Sequence, residues 1–169
     1  LNRARNVRRE EGFSTDETSL DVISQDRYYY PNGQVKRIET KRGSKKQGFT
    51  QKFDKDGNLI LSQIFRNDTL IAEGNQNELG QKEGLWKYYY SNGNISSTGN
   101  YVKGKKNGLW KYYFEEGPLE QEGYWKMDVL DGEWHWYFID GKDRCIMNFK
   151  NGKEDGSYIE YDQYTYVVS

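Results

Sequence analysis

The fold class expected of this sequence is all-β: an elongated single-layer antiparallel β-meander built from 24-residue hairpin repeats. The first observation behind it is a period. Gly84, Gly108, Gly132 and Gly156 lie 24 residues apart, and each opens a similar block. The second is the content of the blocks, of which GLWKYYYSNG at 84–93 and GLWKYYFEEG at 108–117 are the clearest pair. The third is composition. Only 34% of residues are hydrophobic and mean hydropathy is −1.09, values that by themselves point to disorder, yet the chain has fifteen tyrosines, five tryptophans and seven phenylalanines. Disordered chains are poor in such residues, and aromatic rings bury large areas. A thin β architecture with little aliphatic core satisfies both facts.

Within each block the positions repeat in frame. Two residues after the opening glycine stand Trp86, Trp110, Trp134 and Tyr158; five after it, Tyr89, Tyr113, Tyr137 and Tyr161; nine after it, Gly93, Gly117 and Gly141. Fifteen after it come Gly99 and Gly123, with Met147 breaking the pattern, and seventeen after it Tyr101, Trp125 and Phe149. YYYPNG at 28–33 repeats YYYSNG at 88–93, and Gly33 to Gly57 is again 24 residues. A period of this kind reads as a repeat array. The units are 24–47, 48–68, 84–107, 108–131 and 132–155, with a half-unit at 69–83 and a partial unit at 156–169. Residues 1–23 form a basic amino-terminal arm, partly extended or flexible.

Each unit reads as a hairpin. A first run such as LWKYYY has the aromatic content that strands favour. The SNG, PNG, EEG, IDG or DKDG that follows is a tight connection whose glycine supplies a positive φ. A second run returns, and a longer loop such as VKGKKNG or KMDVLDG leads to the next unit. No segment carries a helical period. About twelve strands give a sheet of about 55 Å. The half-unit contributes one strand, and so moves the tight turns from one long edge of the sheet to the other near residue 70.

For a three-residue turn with a bulge, strand alternation puts Leu85, Tyr89, Ile95, Gly99 and Tyr101 on one face, taken as the packed one. The other face then carries Trp86, Tyr88, Tyr90, Trp110, Tyr112, Phe114, Trp134, Trp136 and Phe138. These nine are the candidate binding face: a second packing layer if covered, a ladder for a ligand if bare.

The blocks GLWKYYYSNGNISSTGNYVKGKKNG and GLWKYYFEEGPLEQEGYWKMDVLDG resemble the MORN-repeat variant found in YwqK-type bacterial antitoxins. The resemblance covers roughly residues 24–161. It implies an antiparallel β-meander, supplies no catalytic residues, and is shared with bacterial envelope proteins of Bacteroidetes type. Departures are the half-unit, Asp128 where a loop glycine is expected, and the basic arm.

Charge narrows the function classes. Twenty-five basic and 26 acidic residues leave a net charge of −1, so no overall field favours nucleic acid or an anionic membrane. Arg3, Arg5, Arg8 and Arg9 are the exception, a candidate contact for an anionic surface, with a solvated arm as the plainer reading. Membrane contact is expected only through this arm or a partner. Cys145 is the single cysteine, so neither an internal disulfide nor a multi-cysteine metal site is available. It reads as a buried strand residue. His135, the one histidine, stands at the register position of Lys87 and Lys111 and reads as a polar strand residue. DKDGN at 54–58 lacks the further ligands of a calcium loop and reads as a hairpin turn. Glu115 and Glu116 are neighbours in a turn, not an opposed catalytic pair. The sequons at 67–69 and 94–96 read as accidental.

The expected protein is therefore not an enzyme and needs no cofactor or metal. It is a repeat scaffold that binds another protein, as an accessory subunit of a bacterial cell-envelope assembly. The alternatives are an antitoxin that neutralises a protein toxin, and a carbohydrate-binding module whose tryptophans recur about every 10 Å along the sheet. Lipid-headgroup binding through the amino-terminal arginines is a third. The chain opens on leucine, not methionine, which makes a processed or trimmed form the expectation and leans localisation to the envelope, with the cytoplasm as the alternative.

Overall fold

The computed structural model describes residues 23–163. They form one antiparallel sheet of twelve strands, each hydrogen-bonded to the next in sequence. The strands are β1 (Ile23–Tyr29), β2 (Val35–Arg42), β3 (Lys45–Phe53), β4 (Leu59–Arg66), β5 (Thr69–Gln76), β6 (Lys82–Tyr89), β7 (Ile95–Val102), β8 (Lys105–Tyr113), β9 (Leu119–Lys126), β10 (Val129–Tyr137), β11 (Asp143–Lys150) and β12 (Lys153–Glu160). No connection crosses another, so the sheet is an open meander.

Two kinds of turn join the strands. In the first, the Tyr90 N–H donates to the Asn94 carbonyl at 2.8 Å and the Gly93 N–H to the Tyr90 carbonyl at 3.0 Å. Gly93 has φ 89°, a conformation that sets a Cβ against the carbonyl and favours glycine. The same closure joins Tyr30 to Gln34, Asp54 to Asn58, Asn77 to Gln81, Phe114 to Pro118 and Phe138 to Lys142. DKDGN is thus a hairpin turn, with the Asp54 carboxylate accepting from the backbone of Asp56 and Asn58.

The second kind corrects the sequence reading, which took VKGKKNG and KMDVLDG for longer loops. The connections are two-residue turns: Lys103–Gly104 (φ 50° and 79°), Met127–Asp128 (52° and 72°), Asn67–Asp68 (49° and 68°) and Asn151–Gly152 (52° and 79°). Two positive φ values in succession match the right-handed twist of the flanking strands. The remaining loop residues lie in the next strand as a wide bulge. Tyr101 pairs with Lys106 and Gly99 with Trp110, so three residues of β8 stand against one of β7. Gly108, with φ 83°, sits in that bulge. The glycine that frames the 24-residue period is a bulge glycine.

The expected faces need a correction as well. Tyr89 does pair with Ile95, but Tyr88 pairs with Ser97 and Trp86 with Gly99. Ser96 is an extra residue, and a one-residue bulge inverts the alternation of everything beyond it. Gly99 and Tyr101 therefore share a face with Trp86 and Tyr88, while Leu85, Tyr89 and Ile95 lie on the other. The buried layer is the tryptophan face: Trp86, Trp110 and Trp134 are 0% exposed, and Tyr101, Tyr112, Trp125, Trp136, Cys145, Met147 and Phe149 are buried with them.

The alternation of turn types breaks once. Three-residue loops follow each other at Asn77–Gln81 and Tyr90–Asn94, at opposite ends of β6. Up to β6 these loops lie on one long edge of the sheet, and after it on the other; this is the switch that one extra strand imposes, but it falls across β6 and not near residue 70, because Asn77–Gln81 is a further three-residue loop on the first edge. Turning a hairpin end for end while strand order keeps its direction also turns it over. Thr50 stands two residues after bulge glycine Gly48, the position Trp86 holds after Gly84. It pairs with Glu39 and Gln63, and Gln63 pairs with Glu73, whose other neighbour is Lys87. Lys87 lies on the reverse face from Trp86. The amino-terminal hairpins accordingly pack their buried residues, Glu39 and Thr50, on the reverse face, while Ser62, Ile64 and Ala72 extend the tryptophan face.

Candidate binding surface

Trp86, Trp110 and Trp134 are each fixed by the strand before their own. A Cβ placed on Gly74, Gly99 or Gly123 would meet the ring of Trp86, Trp110 or Trp134 at 2.5, 2.2 and 2.1 Å, so the indole lies flat on bare backbone. The ring N–H then donates to the carbonyl of the residue after that glycine, Asn75 at 2.8 Å, Asn100 at 3.0 Å and Tyr124 at 3.1 Å. Burial of the indole thus leaves no unsatisfied donor. Tyr101 stands edge-on between Trp86 and Trp110, with centroids 6.2 and 5.1 Å away, and Tyr112 bridges Trp110 and Trp134 at 6.1 and 6.2 Å. The edge-to-face contacts of Tyr101 add about 0.5–1.5 kcal/mol each beyond area burial.

Lysines close the layer. The Lys82 ammonium lies 4.8, 4.9 and 5.1 Å from the rings of Trp86, Tyr88 and Tyr101, and that of Lys106 4.4, 5.4 and 4.8 Å from Trp110, Tyr112 and Trp125. Lys82 also donates to the Tyr88 hydroxyl, which is 2.8 Å from that of Tyr101, and Lys106 donates to Tyr112 at 3.1 Å. Above them an open groove of about 1240 Å³ is lined by Ile64, Ala72, Lys82, Tyr88, Lys106 and Tyr112, among others. Sequence reading missed these lysines. The signal was present: Lys46, Lys82 and Lys106 each stand two residues before a bulge glycine, and Leu130 takes the position in the next repeat.

Of the nine residues expected to form a binding face, Trp86, Trp110, Tyr112, Trp134 and Trp136 are buried. They form a packing layer, so a ladder of bare tryptophans is not what this face presents. Tyr88, Tyr90, Phe114 and Phe138 are half-buried. Tyr90, Phe114 and Phe138 each begin a three-residue turn on the same long edge, two strands or about 10 Å apart, and the Tyr90 hydroxyl donates to the Tyr113 carbonyl at 2.7 Å. Arg3, Arg5, Arg8 and Arg9 lie outside the described residues. His135 is a polar strand residue, its Nε2 2.7 Å from Glu133 and its ring stacked on Tyr137. Cys145 is in no disulfide and is buried at 0% exposure. Among the described residues no group of three His, Cys, Asp or Glu side chains is placed to hold a metal ion.

The reverse face of the same strands carries tyrosine–glutamate pairs. The Tyr89 hydroxyl donates to Glu73 at 2.7 Å and Tyr137 to Glu122 at 2.8 Å, with Lys111 3.2 Å from Glu122. The Tyr89 hydrogen bond, joined by one from Gln63, holds the Glu73 carboxyl below its usual range. Burial, then the Glu73 partner, pushes the Tyr89 hydroxyl up to about 12. A folded-state pKa above the unfolded value of about 10 gives stability that is complete below pH 10 and is lost as pH rises through 12. Stability measured by urea unfolding is therefore expected to fall between pH 10 and 12, and Tyr89→Phe to flatten part of that slope. An unchanged slope in the variant would show that Tyr89 is not the group responsible.

In the amino-terminal hairpins the reverse face is built on charge. Glu39, 3% exposed, is met by Arg37 Nε at 3.1 Å, Lys46 Nζ at 3.2 Å and Lys41 Nζ at 3.7 Å, and Lys41 also reaches Asp26 at 2.6 Å. Arg37 lies over the Tyr28 ring and Lys46 over Phe65, at 4.2 and 5.0 Å.

No curated protein matches the chain. A solved structure, the "Glycosylation Associate Protein (Gap123) complex from Streptococcus agalactiae", is similar at 16% identity with a TM-score of 0.26. The similarity covers 66% of this chain and 18% of that one, and a likeness of that size informs neither fold nor function. The family described as "MORN repeat variant" matches residues 27–40, 82–103 and 106–127. The second match runs from Lys82 through the SNG turn to the first residue of the Lys103–Gly104 turn, and the third from Lys106 through the EEG turn to Met127. Each holds one bulge glycine, one stapled tryptophan and one three-residue loop, and these stretches of the chain are MORN-variant repeats.

Proposed function

We propose that the chain is a repeat scaffold that binds another protein, using the groove on the tryptophan face and the edge row Tyr90, Phe114 and Phe138. The observation that carries this reading is the complete burial of Trp86, Trp110 and Trp134 beside an open groove. Rings pressed onto glycine backbone have no face left for a sugar, which weighs against the carbohydrate alternative. What they build is a stiff layer that holds tyrosine, phenylalanine and lysine side chains at fixed intervals, and tyrosine is a favoured anchor in protein interfaces. Within this reading the finer role is that of an accessory subunit of a bacterial cell-envelope assembly, for which the resemblance to envelope repeat proteins is the support. Neutralisation of a toxin is the second reading, favoured by the antitoxin side of the same resemblance.

The test is a pull-down from the native host with mass spectrometry. One protein in stoichiometric amount is expected with the unaltered chain, and its loss with Tyr90→Ala, Phe114→Ala and Phe138→Ala combined, in a variant whose circular dichroism is unchanged. Retention by the triple variant, or capture of polysaccharide without protein, would overturn the proposal. The identity of the captured protein separates envelope component from toxin.

A further inference from the structure

Charge is divided unevenly along the sheet. Residues 23–66 hold ten basic and four acidic side chains, a net charge of +6, and residues 67–163 hold eleven and seventeen, a net of −6. The positive end is also organised against its own stability. Arg37 is paired across the strands with Lys52, Lys41 with Lys46, and Arg42 with Lys45. Like charges directly opposite destabilise a sheet. On the reverse face Glu39 and Asp26 offset Arg37, Lys41 and Lys46, with Glu73 acting on Lys52 from β5, and Glu39 is itself paired with Asp26.

From this arrangement we infer that the reverse face of β1–β4 docks a short, extended, carboxylate-rich segment of a partner protein. The inference rests on the scaffold reading and adds a second contact surface to it. Two cationic pairs, Arg37 with Lys52 and Lys41 with Lys46, are four residues apart along the strands, about 13 Å, with Tyr28 and Phe65 as the apolar floor beneath Arg37 and Lys46. Carboxylates on an extended chain span that distance, and each one that arrives relieves repulsion already present. Size and surroundings select the class of partner. Four strands make a patch only about 15–20 Å wide, and the neighbouring strands carry the net charge of −6. A nucleic acid or an anionic membrane, negative over a much longer span, meets that repulsion, whereas a short acidic peptide does not.

The experiment is fluorescence anisotropy of a labelled decapeptide of alternating glutamate and serine, titrated with the full chain. Binding at low ionic strength is expected to weaken about ten-fold on raising the salt to 0.3 M, as the Debye length contracts. Lys41→Glu with Lys46→Glu is expected to weaken it at least as much, and Lys103→Glu with Lys105→Glu, in the acidic half, to leave it within about two-fold. If the first variant does not fold, Arg37→Gln with Lys52→Gln makes the same test more gently. Absence of peptide binding, or binding indifferent to these changes, overturns the inference. So does preference for heparin or anionic vesicles over the peptide, or salt-sensitive self-association in sedimentation that competes with it. Tighter binding by a chain starting at Ile23 overturns the assignment to a partner in favour of residues 1–22. The readout is independent of the host protein captured through Tyr90, Phe114 and Phe138, so either proposal can fail alone.

Discussion

Trp110→Ala is expected to lower unfolding free energy by about 4 kcal/mol, the upper part of the range for emptying a packed aromatic site. The ring is 0% exposed, lies on Gly99, and touches Tyr88, Tyr101 and Tyr112, so its loss leaves a gap in the middle of a single layer with no second sheet to collapse onto it. The complementary change, Gly99→Ala, puts a methyl group 2.2 Å from the same ring and is expected to cost about 3 kcal/mol, the high end for overpacking. The two are not independent. Once the indole is gone the new methyl has room, so the double variant should be more stable than the sum of the singles by about 2 kcal/mol. Urea unfolding of the four chains closes the cycle, and strict additivity would refute the ring-on-glycine account.

Glu39→Ala is expected to cost about 3 kcal/mol, the range for removing one member of a buried ion cluster. It leaves Arg37, Lys41, Lys46 and Lys52 facing one another, with Asp26 on Lys41 and Glu73 near Lys52 as the remaining carboxylates. Asp26 is about half exposed, and Asp26→Ala should cost under about 1 kcal/mol, as exposed ion pairs do. Urea unfolding of both variants at low and high salt makes the comparison. Salt should restore part of the Glu39 loss, because the added penalty is repulsion among half-exposed cations. Equal costs for the two variants would mean that Glu39 is not the keystone of the cluster.

The sequence period disclosed the strands, the three-residue turns and the switch of edge, because each depends on glycines or aromatics that recur in frame. The faces were not legible, for a reason located in one residue per hairpin. The extra residue at Ser96 is Glu120 in the next hairpin and Arg144 in the one after, and no composition marks a bulge that serine, glutamate and arginine all fill. The Met127–Asp128 turn was hidden in the same way, since two left-handed residues in succession are expected where glycine or asparagine stands. At the candidate site the aromatic positions were readable but their roles were not. Whether Trp86 is bare or covered depends on Gly74, twelve residues upstream in a strand outside its own hairpin, and that relation follows from register and not from local pattern. The opposed cations of β2 and β3 likewise become neighbours only through pairing.

The strand β5 is a single strand among twelve, but it sets a parity for the whole molecule. Two strands added or removed between the halves would keep their patterned sides in step; one strand puts them back to back. The aromatic groove and the basic patch therefore open onto opposite sides of a single layer of backbone. Ligands at the two proposed sites would be separated by the sheet itself, so neither would compete for room with the other.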